Sequence, residues 1–379
     1  MPVATNFTAS ARAVFRQIIK EGISTRPDIG RLLNLSRPTM SAAIAELERV
    51  QYVEATGVVK GAVGRRATRY RAGTGAGHVI SIDAGSTHIR LRVSTLDRRL
   101  LHSRVCKLPV AQIQMTQEIS VRTAEEMQGA LAAATEDWGP LRAVGIALPT
   151  RVVGPEGNAA ETRQEILFSA FQPPEDVALV LENNVNCAAV AEGLYGVARE
   201  EATFAYIQIG LKIGMGLILD GHLIRGRSGA AGEIGHLPYP FAPDRDPEAG
   251  ALERHLGTEA LMERVRTNWP ADAGPGPKDS MELLRLAADK APAAQAHVSR
   301  HGSEVGALVA ACVSIVDPGI VVLGGGYGSS PLLLQPVLEA AQRLAYHVDL
   351  RSSALGADAT VLGIEKLAID EAIKVLLGD

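Results

Sequence analysis

Cysteine is scarce: there are three in 379 residues, Cys106, Cys187 and Cys312. They are far apart and odd in number, which argues against a disulfide framework and fits a reducing compartment. Long apolar runs are also missing. None approaches the ~20 residues that a membrane-spanning helix needs, and the N-terminus has no apolar core of signal-peptide type. The expectation is a soluble, cytoplasmic protein with no membrane partner. No glycine run fits the dinucleotide fingerprint, so a nicotinamide cofactor is not indicated. Net charge is small, at -4, but the sum hides an asymmetry. Residues 1–75 hold 12 Lys and Arg against 5 Asp and Glu, a net of +7, while the remainder holds 26 against 37, a net of -11. A small basic head on a larger acidic body suggests that only the head meets a polyanion. The length suggests two or three domains.

Within the head, Val14, Phe15, Ile18 and Ile19 form an apolar stripe at helical spacing, ended by Gly22. A second short helix is predicted from about Pro27. Ser36 is a natural N-cap for a third, with Pro38 tolerated in its first turn and Met40, Ile44 and Leu47 facing inward. The other face of that helix carries Arg37, Thr39, Ser41 and Ala42. Short side chains there let a helix approach base edges, and Arg37 can reach a guanine or a phosphate. A strand, the basic loop Lys60–Arg66 and a second strand then read as a wing, with Arg65 and Arg66 at its tip. The DNA contacts expected are Ser36, Arg37, Thr39, Ser41, Arg65 and Arg66.

Gly73-Thr74-Gly75-Ala76-Gly77 reads as a flexible linker. Beyond it, His78–Thr95 reads as strand, turn and strand, and Ala205–Gly226 repeats that unit, which suggests two lobes built on one plan. Val177–Leu181 is a predicted strand ending at Glu182-Asn183-Asn184-Val185-Asn186, before an Ala-rich helix. Polar residues there sit where α/β sheets place ligands, although an Asx turn or N-cap explains them equally well. The Gly-studded run Gly210–Gly235 ends in Glu233-Ile234-Gly235-His236, a carboxylate and an imidazole suited to a ligand dense in hydroxyls. Gly324–Gly328 is a Gly-rich turn ahead of a predicted helix near Pro331, and Glu365–Leu377 is a predicted terminal amphipathic helix.

On Gly64-Arg65-Arg66, Asp83–Thr87, Glu182–Asn186, Gly229–His236 and Asp317–Gly328, the sequence resembles the ROK family of bacterial repressors and sugar kinases, over nearly the whole chain. The resemblance implies an α/β fold: a winged helix-turn-helix plus a two-lobed actin-like ATPase (ribonuclease H-like) domain, with a sugar site in the cleft. The domains expected are the head at 1–72, the linker at 73–77 and a sensor at 78–379. The sensor's lobes are approximately 78–185 with the C-terminal helix, and 186–360. By the same resemblance Asn183, Asn184, Glu233, His236 and Glu253 contact sugar.

The departures from the family pattern carry as much weight. Family kinases place Asp, their general base, where this chain has Asn184, and an amide is no base at neutral pH. Both phosphate turns are altered, to Ala84-Gly85-Ser86-Thr87 and Gly210-Leu211-Lys212. The family's zinc cysteines align with Asp244, Asp246 and Ala251, with Gly250 kept. Structural zinc prefers four N or S ligands, so no metal is expected. The resulting expectation is a sugar-responsive regulator, a repressor of carbohydrate-metabolism genes, without catalytic residues or cofactor. Its partners would be operator DNA, a sugar or sugar-phosphate effector, and further copies in a homodimer or homotetramer. The alternatives are an active sugar kinase with a fused DNA-binding domain, or a vestigial cleft that serves only dimerisation.

Overall fold

The computed structural model describes residues 7–60, 66–109, 116–153, 167, 169–172, 174–175, 177–240, 244 and 246–378. The chain divides into two compact units. The first takes in the described parts of Met1–Pro149, Arg163–Glu182 and Ile364–Asp379, and the second those of Thr150–Thr162 and Asn183–Gly363.

The N-terminal part of the first unit is built from three capped helices. Helix α1 (Ala9–Glu21) starts under the Thr8 side chain, and α2 (Arg26–Leu32) under Thr25 with Pro27 in its first turn. Helix α3 (Arg37–Arg49) starts at Ser36, whose side chain accepts from the Thr39 N–H, with Pro38 in its first turn. The apolar stripes of α1 and α3 bury Phe15, Ile18, Ile44 and Leu47 completely. Strand β1 (Ser24–Thr25) pairs antiparallel with β3 (Arg66–Ala72), and β3 with β2 (Val53–Lys60), in the order β1-β3-β2. Among the described residues, three helices and a three-stranded antiparallel sheet thus make up this part of the unit.

The flexible linker expected at 73–77 is absent. Thr74–Ala76 is a 3-10 turn, and Ala76 is wholly buried. A Cβ on Gly73 or Gly75 would lie 2.4 Å from the carbonyl oxygen of Gln51 or Val50, and one on Gly77 would lie 2.1 Å from that of Pro140. The glycines are there because backbone approaches backbone, not because the chain must flex.

Next come β4 (His78–Ala84), β5 (His88–Thr95), β6 (Leu100–Lys107), helix α4 (Gln117–Ala133), β7 (Leu141–Leu148) and β8 (Ala178–Asn183). The sheet order is β6-β5-β4-β7-β8, with β4–β5 and β5–β6 antiparallel and β4–β7 parallel. Every residue of β4 is buried, as expected of a strand in mid-sheet.

In the second unit, helix α5 (Asn184–Tyr195) precedes β9 (Phe204–Ile209), β10 (Ile213–Leu219) and β11 (His222–Leu223). Helices α6 (Ala251–Leu256), α7 (Thr258–Asn268), α8 (Ser280–Ala288) and α9 (Pro292–Val316) follow. Strand β12 (Ile320–Gly324), helix α10 (Pro331–Leu344), β13 (Asp349–Ser352) and helix α11 (Ala359–Leu377) complete the chain. The order β11-β10-β9-β12-β13 repeats that of the first sheet, so the hairpin unit seen twice in the sequence does mark two sheets of one plan. Alternation along β9 divides the core. Phe204 and Tyr206 pack with Val185 and Ala188 of α5, while Ala205, Ile207 and Ile209 pack with α6, α7 and α9. Helix α11 begins six residues before the predicted Glu365. Among the described residues no helix is long and apolar enough to cross a membrane.

The core also sets a pH limit. His301 of α9 is 1% exposed, with Nε2 3.0 Å from the Leu256 carbonyl oxygen. Burial pushes its imidazole down from 6.5 to about 4. A base whose folded pKa is depressed binds its proton more readily when unfolded, so its contribution to stability falls as pH drops from 6.5 towards 4. Denaturant midpoints across that window should decline in the wild type and decline less in His301→Gln. Parallel curves would remove His301 from the acid sensitivity.

Candidate functional site

The candidate side chains lie on two surfaces. On the head, α3 turns Met40, Ala43, Ile44 and Leu47 inward and leaves Arg37, Thr39, Ser41, Ala42 and Ala45 exposed. That face is small enough to enter a major groove. Ser36 is exposed as well, but its hydroxyl is shared with the Thr39 N–H (3.3 Å) and lies 2.8 Å from the Thr39 hydroxyl, so it shapes the start of the helix. Arg66 is exposed at the start of β3, beside the wing loop. Arg65 lies outside the described residues.

The second site belongs wholly to the second unit. Gly232 has φ +82°, and a Cβ there would lie 1.8 Å from the Met215 carbonyl oxygen. The Met215 N–H donates to the Gly232 carbonyl at 2.8 Å. This stitch to β10 fixes the next residues, Glu233 and the 3-10 turn Ile234–His236, closed by the His236 N–H on the Glu233 carbonyl at 3.1 Å. Glu253, on α6, accepts from the Ile213 N–H at 3.1 Å, and its carboxylate would come within 3.0 Å of a Cβ at position 235. The nearer obstacle is backbone: the same Cβ would lie 2.6 Å from the Ile213 carbonyl oxygen, so the glycine of Glu-x-Gly-His is demanded by its close approach to β10. Burial pushes the Glu233 carboxyl up; His236, Lys212 and Arg151 pull it down, and Glu253 adds to the rise. The structure thus gathers Glu233, His236 and Glu253 into one electrostatic neighbourhood, with His236 exposed and both carboxylates half-buried.

Asn183 reaches this neighbourhood by a different route. Its Oδ1 accepts from the N–H groups of Val185 (2.8 Å) and Asn186 (3.4 Å), capping α5, and its Nδ2 donates to the Thr150 carbonyl at 3.2 Å. The N-cap reading that the sequence left open is present. Asn184 opens α5 next to it. Thr150 leads into Arg151 and Val152, whose carbonyl oxygen lies 2.1 Å from where Gly229 would carry a Cβ. The segment 150–152 therefore joins the Asn183 cap to the loop that delivers Glu233. Sequence reasoning missed Arg151 altogether and read Lys212 only as damage; the one signal available for Arg151 was its place just after a buried strand.

The nucleotide and metal positions look different. The Ile213 N–H beside the turn Gly210-Leu211-Lys212 is taken by Glu253, and Asp83 has the Arg90 guanidinium 3.6 Å away. Asp244 and Asp246 are exposed, and Ala251, first residue of α6, offers no donor. This set does not fit structural zinc.

A sequence model of the family described as ROK family matches residues 79–371. The xylose repressor of Bacillus subtilis (strain 168) is 22% identical over 380 residues, covering 96% of both chains. Among solved structures, a ROK family transcriptional regulator described as a homolog of the E. coli MLC protein aligns with TM-score 0.74 at 20% identity, over 97% of this chain and 96% of its own. A ROK family glucokinase from Streptomyces griseus, solved with glucose and AMPPNP, aligns with TM-score 0.63 at 23% identity, over 78% of this chain and all of its own.

Proposed function

The chain belongs to the ROK family, and from that premise we propose that it is a sugar-responsive transcriptional regulator, a repressor that no longer transfers phosphate. The observation that carries this reading is where the matches end. The repressor relative and the regulator structure cover 96% and 97% of the chain, basic head included, whereas the glucokinase is fully used over 78% of it. Loss of the base position to Asn184, and Glu253 holding the Ile213 N–H, support the same reading. In this scheme α3 and the wing bind duplex operator DNA through Arg37, Thr39, Ser41, Arg65 and Arg66, with Ser36 setting the helix start. Asn183, Asn184, Glu233, His236 and Glu253 bind the hydroxyls of a sugar or sugar phosphate.

The sugar changes operator affinity by binding two conformations unequally, since equal affinity for both would shift nothing. A homodimer or homotetramer would present paired heads to half-sites about one helical turn or a multiple apart. A thermal-shift screen of sugars and sugar phosphates identifies the effector, because a ligand bound only by the folded state raises the midpoint.

Phosphoryl transfer should be absent. An amide at 184 cannot take the proton of a sugar hydroxyl, so ADP release over a panel of hexoses, pentoses and ATP should stay at background. Turnover that vanishes in Asn184→Ala would establish the kinase alternative instead.

A further inference from the structure

Two cations stand in the second unit where sugar hydroxyls alone do not call for them. Lys212 ends the turn Gly210-Leu211-Lys212 between β9 and β10. The backbone of that turn is pinned. The Gly210 carbonyl accepts from the Thr258 N–H at 2.9 Å, and the Leu211 carbonyl oxygen lies 3.1 Å from where Gly257 would carry a Cβ. The next N–H, of Ile213, donates to Glu253 at 3.1 Å. Two residues beyond Lys212 the strand meets the first turn of α5. A Cβ on Gly214 would lie 3.0 Å from Cγ2 of Val185, and one on Gly216 would lie 2.8 Å from the Val185 carbonyl oxygen. Lys212 is therefore fixed close to the turn of α5 that Asn184 opens.

Arg151 arrives on a separate segment. The Thr150 carbonyl accepts from the Asn183 side-chain amide at 3.2 Å, and a Cβ on Gly229 would come within 3.5 Å of Cγ of Arg151. Lys212 and Arg151 are both half-buried, and both act by charge on the Glu233 carboxyl. The acidic groups around them are already engaged or weakened. Glu253 accepts from the Ile213 N–H, and burial pushes Glu233 towards its neutral form. Position 184 holds an amide where family kinases place Asp. A carboxylate there would repel a bound anion, whereas an amide N–H donates to one.

We propose, on the reading of Asn183, Asn184, Glu233, His236 and Glu253 as a sugar site, that the effector is an anionic sugar. Lys212 and Arg151 hold its phosphate or carboxylate beside Asn184, and Glu233, His236 and Glu253 take its hydroxyls. A neutral sugar offers the two cations only hydroxyl dipoles. A phosphate or carboxylate offers them charge-assisted hydrogen bonds, which are roughly twice as strong. Asn184 then has a second consequence besides the missing base, because it removes a negative charge from the place the anion occupies.

Calorimetry on the full-length protein tests this with glucose, galactose, mannose and xylose, each as the neutral sugar, as its phosphate and as its aldonic acid. For one of these sugars an anionic form should bind about tenfold tighter or more than the neutral form. A preference confined to the phosphate or to the acid identifies which anion the site takes. Lys212→Met and Arg151→Met should each weaken the preferred anionic form by about tenfold or more, as loss of a charge-assisted hydrogen bond does. Lys212→Arg should keep most of the affinity. A neutral sugar bound as tightly as its anionic forms, and lost in Glu233→Ala, would overturn the proposal and leave the sugar site standing. An anionic preference unchanged in both Met variants would overturn it as well. No heat with any form would count against the sugar site itself, and the proposal would fall with it.

Discussion

Gly232→Ala is expected to abolish sugar binding and to destabilise the protein by roughly 2–4 kcal/mol. A left-handed conformation at a non-glycine residue costs about 1–3 kcal/mol. The new methyl group would also sit 1.8 Å from the Met215 carbonyl oxygen, so the Met215–Gly232 pairing has to open. A lost backbone hydrogen bond adds about 0.5–1.5 kcal/mol. The loop freed by that opening is the one that aims Glu233 and His236, and a site that loses two polar contacts weakens by about tenfold per 1.4 kcal/mol. Gly221→Ala is the matched control. Its φ is +77°, but nothing lies within 4 Å of the added Cβ, so it reports the backbone strain without the clash. Calorimetry with the sugar found by the screen should show no heat for Gly232→Ala and near wild-type affinity for Gly221→Ala. Equal denaturation midpoints for the two variants would mean that the stitch to β10 does not hold the site.

The second large effect concerns DNA. Arg37→Ala should weaken operator binding by about one to two decades, since a bidentate arginine–guanine pair is worth about 1–3 kcal/mol. It should also relax sequence preference at one base pair. If Arg37 holds a phosphate instead, binding weakens on all sequences and the salt slope falls by about 1. Arg66→Ala, beside the wing loop, should give this second pattern, because a side chain in the minor groove or on the backbone reads little sequence. Fluorescence anisotropy of labelled duplexes at several salt concentrations separates the two. Wild-type affinity and slope in both variants would take α3 and the wing out of the interface.

Much of this was readable in the chain itself, and the failures have physical causes. Ser36, Pro38 and the Met40-Ile44-Leu47 stripe announced α3 because capping and helical period are local properties. The two hairpins announced two sheets of one plan because turn chemistry is local too. Residues 73–77 read as a flexible linker in the sequence because glycine signals either freedom or close approach, and only tertiary contact tells which. Gly73 and Gly75 are there for the carbonyls of Gln51 and Val50, which no local pattern reveals. Asn183 was legible as either cap or ligand contact, and its side chain does cap α5. Arg151 escaped notice because its relation to Glu233 exists only after the segment 150–152 has folded beside Gly229. The start of α11 lies six residues ahead of Glu365, where the 3-10 turn Gly356–Asp358 runs directly into Ala359.

A sugar-responsive regulator joins DNA binding and sugar binding in one molecule, and the most direct test reads one site while filling the other. A duplex selected by the protein from a random pool is labelled, and its anisotropy is followed while the sugar that raises the melting midpoint is titrated. A sugar-sensing regulator gives a saturable change in operator affinity, about 5- to 150-fold for a coupling of 1–3 kcal/mol, and Glu233→Ala abolishes the response without altering affinity in the absence of sugar. Operator affinity that stays constant while the sugar saturates its site would contradict the claim.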